Sequence, residues 1–79
     1  MAKTIFTEDH RSFIAALRDV RREKRVTQET LSRRLGRDQS YISNIERGQR
    51  RLDVIEFAEI ARALDEKPEE LFSAIMATI

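Results

Sequence analysis

The sequence predicts an all-α domain of five helices. Three observations carry that reading. Apolar residues recur at i, i+3 and i+4 over successive stretches of the chain. Only two glycines and one proline occur in 79 residues, and each falls at the edge of such a stretch. Thr7, Thr27, Asp38 and Asp53 precede four of the stretches, where a side-chain oxygen can cap the free N–H groups of a first turn.

The first helix is expected from about Glu8 to Lys24. Glu8 and Asp9 suit the positive end of its dipole, and Arg21, Arg22 and Lys24 the negative end. Phe13, Leu17 and Val20 form its apolar stripe, with Ile14 and Ala16 beside it. The second runs from Gln28 to Leu35, faces inward through Leu31 and Leu35, and stops at Gly36. The third runs from Gln39 to Arg47 behind Asp38, buries Ile42 and Ile45, and stops at Gly48. The fourth, Val54 to Leu64, is apolar over a wide arc (Ile55, Phe57, Ala58, Ile60, Ala61 and Leu64), which suits a central pillar. The fifth opens at Pro68, a residue favoured at a first helical position, and carries Leu71, Phe72, Ile75 and Ile79.

One domain is expected over residues 1–79, since no linker, repeat or low-complexity run divides the chain. A core of this size is marginal, so oligomerisation is the expected aid to stability. With no cysteine and His10 as the one histidine, neither a disulfide nor a multi-histidine metal site can form. His10 reads as a solvated residue near a helix start. No apolar run approaches the ~20 residues of a membrane span. The N-terminal Met1–Phe6 has no secretory pattern, which gives a cytoplasmic location as the expectation. An enzyme is not expected: Glu8 and Asp9 are better dipole partners than paired catalytic carboxylates, and no glycine loop could cradle a phosphate. No cofactor is implied.

The net charge of +1 hides an asymmetry. Residues 1–52 hold 13 Lys/Arg against 7 Asp/Glu, and residues 53–79 hold 2 against 7. A basic half of this kind suits nucleic acid. Within it, Gln28 to Arg47 reads as two short helices joined by Gly36-Arg37-Asp38, with small Ser32 at the helix crossing, Gly36 for a positive φ, and Ile42 and Ile45 turned inward. Those are the requirements of a helix-turn-helix.

The chain resembles the lambda-repressor-like, or XRE/Cro, family of regulators. The resemblance rests on Arg21-Arg22-Glu23-Lys24, Thr27-Gln28-Glu29-Thr30-Leu31, Leu35-Gly36 and Ser40-Tyr41-Ile42-Ser43-Asn44-Ile45-Glu46-Arg47-Gly48, and covers roughly residues 13–72. It implies that the third helix enters the major groove of double-stranded DNA. Gln39, Ser40 and Asn44 match base-reading positions, and amide and hydroxyl groups suit base edges. Arg37 in the turn has guanine or phosphate within its reach. Gln28 matches a phosphate contact at a helix start, and Tyr41, Ser43, Arg47, Gln49, Arg50 and Arg51 are expected along the sugar-phosphate backbone. Tyr41 has a second reading, as a ring packed on the domain surface. Of Arg33 and Arg34, one is expected toward phosphate and the other toward solvent. Arg21 and Glu46 match a structural salt bridge of the family.

The chain departs from the family pattern at Arg25 and Asp65, where glycine is usual, at Ser32, where alanine is common, and at Lys67, where a capping Ser or Asp is frequent. The function implied is that of a regulator binding an inverted-repeat operator as a homodimer, joined through the C-terminal helix 68–79 by Phe72, Ile75, Met76 and Ile79. A second reading folds the tail carrying them back on its own core. A restriction–modification controller, an antitoxin with a toxin as protein partner, and a phage-type repressor all fit. A protein-interaction module on the same fold is the alternative, and the basic 47–51 loop speaks against it. No small-molecule ligand is expected, because no sensor domain is visible.

Overall fold

The computed structural model describes residues 7–79; residues 1–6, read above for a leader pattern, lie outside the described residues. Five helices follow in order: α1 Glu8–Glu23, α2 Gln28–Arg34, α3 Ser40–Glu46, α4 Val54–Ala63 and α5 Pro68–Met76. None is long and apolar enough to cross a membrane.

Local chemistry sets the starts. The Thr7 hydroxyl oxygen accepts from the His10 N–H at 3.1 Å and that of Thr27 from the Thr30 N–H at 3.0 Å. Asp53 and Glu56 form a reciprocal capping box: Asp53 Oδ1 accepts from the Glu56 N–H at 2.7 Å, and Glu56 Oε1 from the Asp53 N–H at 3.1 Å. Helix α3 starts one residue later than expected. Gln39 takes the cap position in helical geometry with no side-chain bond, and Asp38 Oδ1 reaches past it to the Ser40 N–H at 2.9 Å and the Ser40 hydroxyl at 2.8 Å. Lys67 makes no side-chain cap, so α5 relies on Pro68 and on Glu69 and Glu70 in its first turn.

Four helices end in the same way. The second residue beyond each cap donates back five positions: Val26 to Arg21 O, Arg37 to Ser32 O, Gln49 to Asn44 O and Glu66 to Ala61 O, at 2.9–3.2 Å. This hydrogen-bond pattern requires a left-handed residue between. Gly36 (φ +66°) and Gly48 (φ +74°) supply it, but so do Arg25 (φ +59°) and Asp65 (φ +60°). Both departures from the family glycine therefore keep its geometry and carry a strain that glycine would not. We expect Arg25→Gly to raise stability by roughly 0.5–1 kcal/mol, the strain relieved less the chain entropy that glycine adds, and Asp65→Gly by less, because aspartate tolerates this region better. A thermal melt rising about 2–8 °C for Arg25→Gly would show it.

The helices close a ring of contacts: α1 on α3 and α5, α2 on α3 and α4, and α4 on α5. Leu31, Ile45, Ile60 and Leu64 are almost wholly excluded from solvent at its centre. The deepest row of α1 is Ile14, Leu17 and Arg21, which shares Leu17 with the expected stripe; Phe13, Ala16 and Val20 are half-buried beside it. Phe13, Phe57 and Phe72 meet edge to face or tilted, with ring centroids 5.4–5.9 Å apart. Two expectations fail here. Ile55 is not inward but 66% exposed, because the buried stripe of α4 is Phe57, Ile60, Ala61 and Leu64. Ile75 is core, at 3% exposure, and so cannot belong to a dimer surface.

Candidate nucleic-acid interface

Helix α3 is fixed from behind by polar groups as well as by Ile42 and Ile45. Ser32 is completely buried, and its hydroxyl oxygen accepts from the Ile42 N–H at 3.2 Å. An alanine here would leave that first-turn N–H without this partner. Arg21 and Glu46 pair through both prongs, Nε to Oε2 at 2.7 Å and Nη2 to Oε1 at 2.9 Å. Their side chains are 8% and 9% exposed. Arg21 Nη1 also donates to the Val26 carbonyl at 2.7 Å, and Gln28 Nε2 to Glu46 Oε1 at 2.8 Å. One cluster thus ties α1, the turn after it, the start of α2 and the end of α3. The Gln28 side-chain amide, expected at a phosphate, spends one of its two N–H donors on this cluster.

The outward side of α3 carries Gln39, Ser40, Ser43, Asn44 and Arg47. Gln39, Ser40 and Arg47 are exposed, and Ser43 and Asn44 are half-buried. Asn44 Oδ1 accepts from Arg47 Nη2 at 2.8 Å, and the Ser43 hydroxyl donates to the Ser40 carbonyl at 3.0 Å. Gln49 and Arg51 are exposed on the following loop. Arg33 is exposed, whereas Arg34 donates to the Ala63 carbonyl at 2.9 Å, satisfying the end of α4.

Tyr41 is not part of the open face. It is 7% exposed, with the Arg37 and Arg50 guanidinium carbons 4.6 and 4.7 Å from its ring centroid. Arg50 grips Glu56 through both nitrogens, Nη1 to Oε1 at 3.1 Å and Nη2 to Oε2 at 2.9 Å, and Arg37 lies 3.9 Å from the same carboxylate. Burial and the Glu56 charge push the tyrosine hydroxyl above its usual range, against the two arginines. The Arg50 hydrogen bonds, helped by the Asp53 N–H, hold Glu56 down to about 2. His10 is half-buried, not solvated, and burial first and the Arg51 charge second lower its pKa.

These shifts give an expected acid profile. A carboxylate lowered from 4.5 to about 2 stabilises the fold above about pH 4.5, and that contribution is lost as pH falls toward 2. The shift alone corresponds to about 3 kcal/mol, reduced to on the order of 1–2 kcal/mol by solvent around half-exposed Arg50. Asp38, lowered by its bonds to Ser40, acts in the same direction. His10 resists protonation when folded, so its small contribution fades earlier, below about pH 6.5. Thermal melts from pH 7 to pH 2 should show a main loss below about pH 4.5 that Glu56→Gln largely flattens.

Two sets of residues escaped the sequence reading. Glu56 is one, although Asp53-x-x-Glu56 has the capping-box spacing. Val54 and Ile55 are the other, 72% and 66% exposed on the first turn of α4. With Phe72, Met76 and Ile79 they are the large apolar residues left open among the described residues. Val54, Ala58, Pro68 and Phe72 line one shallow groove between α4 and α5, with a water-accessible volume of about 220 Å³.

Comparison with known proteins agrees with this geometry. A helix-turn-helix family model matches residues 17–71. An uncharacterised HTH-type transcriptional regulator, y4dJ of Sinorhizobium fredii (strain NBRC 101917 / NGR234), is 46% identical over 52 residues, 66% of this chain and 68% of that protein. An XRE-family like protein from Pseudomonas syringae pv. tomato superposes with a TM-score of 0.82 at 37% identity, over 89% of this chain and 85% of the other. The restriction–modification controller C.AhdI from Aeromonas hydrophila gives 0.74 at 41% identity, over 84% and 100%. The controller C.Esp1396I, solved as a tetramer with its natural 35-base-pair operator, gives 0.79 at 27% identity, over 90% and 93%. The chain belongs to the XRE-like helix-turn-helix family of transcriptional regulators.

Proposed function

We propose that the chain is a sequence-specific DNA-binding regulator that acts as a two-fold homodimer on an inverted-repeat operator. The observation that carries this is the outward side of α3. Ser40 and Asn44 lie on α3 and Gln39 at its cap, the helix is braced from behind by Ser32 and by Arg21 on its Glu46, and Arg33, Arg37, Arg47 and Arg51 are exposed on α2, on the turn before α3 and on the loop after it. Amides and a hydroxyl on a rigid helix suit base edges, and the arginines suit phosphates. One seven-residue helix reads few bases, so a second copy supplies the other half-site, about 34 Å away. The open apolar strip of α4 and α5 is a surface for that second copy.

Regulation then follows protein concentration, through dimerisation. A controller of restriction–modification genes is the role closest to the solved neighbours, one of which is held on its operator. The test is sedimentation equilibrium over a concentration range, with duplex binding followed at two salt concentrations. A dimer whose affinity falls steeply with salt supports the reading. On a selected operator, Gln39→Ala and Asn44→Ala should each lose roughly 10- to 100-fold in discrimination, the worth of one bidentate base contact. A monomer that ignores DNA at low salt overturns it and favours a protein partner such as a toxin.

A further inference from the structure

Arg50 and Arg37 lie at either side of the recognition helix, in the loop after it and the turn before it. Both positions suit a phosphate, yet the Arg50 fork is occupied. Its two terminal nitrogens hold the two oxygens of Glu56, and Nη1 donates to the Arg51 carbonyl as well, at 3.1 Å. A guanidinium offers carboxylate and phosphate the same paired geometry, so one can take the place of the other.

We propose that Glu56 is an internal stand-in for a DNA phosphate: its carboxylate fills the Arg50 fork beside the Tyr41 ring and withholds that one charge from the DNA backbone. The inference rests on the DNA-binding reading and adds a residue that reading does not use. Three features support it. The carboxylate is anchored within the capping box of its own helix, its Oε1 accepting from the Asp53 N–H as well as from Arg50, so it does not follow Arg50 outward. Its low pKa keeps it charged throughout the working range. Arg50 lies against Tyr41, which is itself buried, so the pair is set in a rigid wall. Arg37 is held more loosely, at 3.9 Å with its side chain 42% exposed, and is the arginine of the two that DNA can draw away. Glu56 is thus a positioning residue that lowers sequence-blind attraction and leaves the α3 face to decide where the protein stops.

The test follows binding of a short random-sequence duplex by fluorescence anisotropy from about 50 to about 200 mM salt. Each phosphate neutralised adds about 0.9 to the slope of log affinity against log salt. Glu56→Gln keeps an oxygen for the Asp53 N–H but removes the charge. It should bind the random duplex more tightly at low salt, with a slope steeper by about 0.9, an extra loss of about 3.5-fold across that range. Adding Arg50→Gln should return the slope to that of the wild type. An unchanged or shallower slope in a folded Glu56→Gln protein overturns the proposal, as does a gain that survives loss of Arg50. A merely structural Glu56 would move the melting temperature and not the slope. The wild-type chain gives an independent reading if that variant fails to fold. On adding duplex, the Arg50 side-chain N–H resonances should stay in place while those of Arg47 move, and movement of Arg50 overturns the proposal. Wild-type protein that ignores duplex at about 50 mM salt overturns the DNA-binding reading beneath it.

Discussion

Arg21→Ala should cost roughly 3–5 kcal/mol of stability and leave much of the protein unfolded at 37 °C. The size follows from what the substitution strands. Glu46 would keep one partner, Gln28, for a carboxylate held almost entirely out of water. The Val26 carbonyl would lose its bond from Arg21, in a turn already strained at Arg25. A domain of this size has a total stability of about 4–12 kcal/mol, so the loss takes a large share of it. Urea unfolding followed by far-ultraviolet circular dichroism would measure it. Glu46→Ala should cost a similar amount, for the mirror-image reason. Replacing both residues by apolar side chains, Arg21→Met with Glu46→Leu, should recover much of the loss, because no charge is then left buried. Such a protein tests what the pair is for. It would be stable while Gln28 and the end of α3 lose their shared anchor, so its DNA affinity should remain below that of the wild type. Full affinity in the double variant would show that the pair serves folding alone.

The same cluster shows what a sequence can and cannot disclose. All five helices were legible, because apolar spacing, caps and glycine stops pointed to the same boundaries within a residue, except at the end of α5, which stops at Met76 and not at 79, where no glycine or proline marks the end. Arg21 and Glu46 were legible only through the family pattern; charge and spacing alone do not say that residues 25 apart in the chain meet. The exposed side of α3 was readable as the complement of Ile42 and Ile45, but Tyr41 was left between two readings, of which the packed ring is the one observed. An amphipathic tyrosine between the inner and outer arcs goes wherever partners exist, and Arg37, Arg50 and Glu56, from three separate segments, are those partners. Ile75 and Ile55 were misplaced for a related reason. Both are apolar residues near helix ends, where burial depends on which neighbouring helix reaches that far, and neither periodicity nor composition records this.

Placing negative charge on the open apolar strip should separate dimer from monomer without touching the fold. Ile55 and Met76 suit the purpose, since they are 66% and 45% exposed, outside the core and outside the three-phenylalanine contact. Phe72 and Ile75 do not, because changing either removes packing within the subunit. Ile55→Glu with Met76→Glu adds charge to the acidic half of the chain, and in the proposed two-fold dimer the same patch would face its copy. Repulsion and the loss of two apolar contacts then act together. Sedimentation equilibrium should report a monomer with unchanged helix content. On an inverted-repeat operator the affinity should drop by roughly 10²-fold or more, because two linked half-site contacts become two separate ones. On a single half-site the two proteins should bind alike. That contrast locates the effect in assembly: an equal loss on both DNAs would mean that the added charge repels phosphate directly. A double variant that stays dimeric would move the interface off α4 and α5 altogether and leave the strip to another protein.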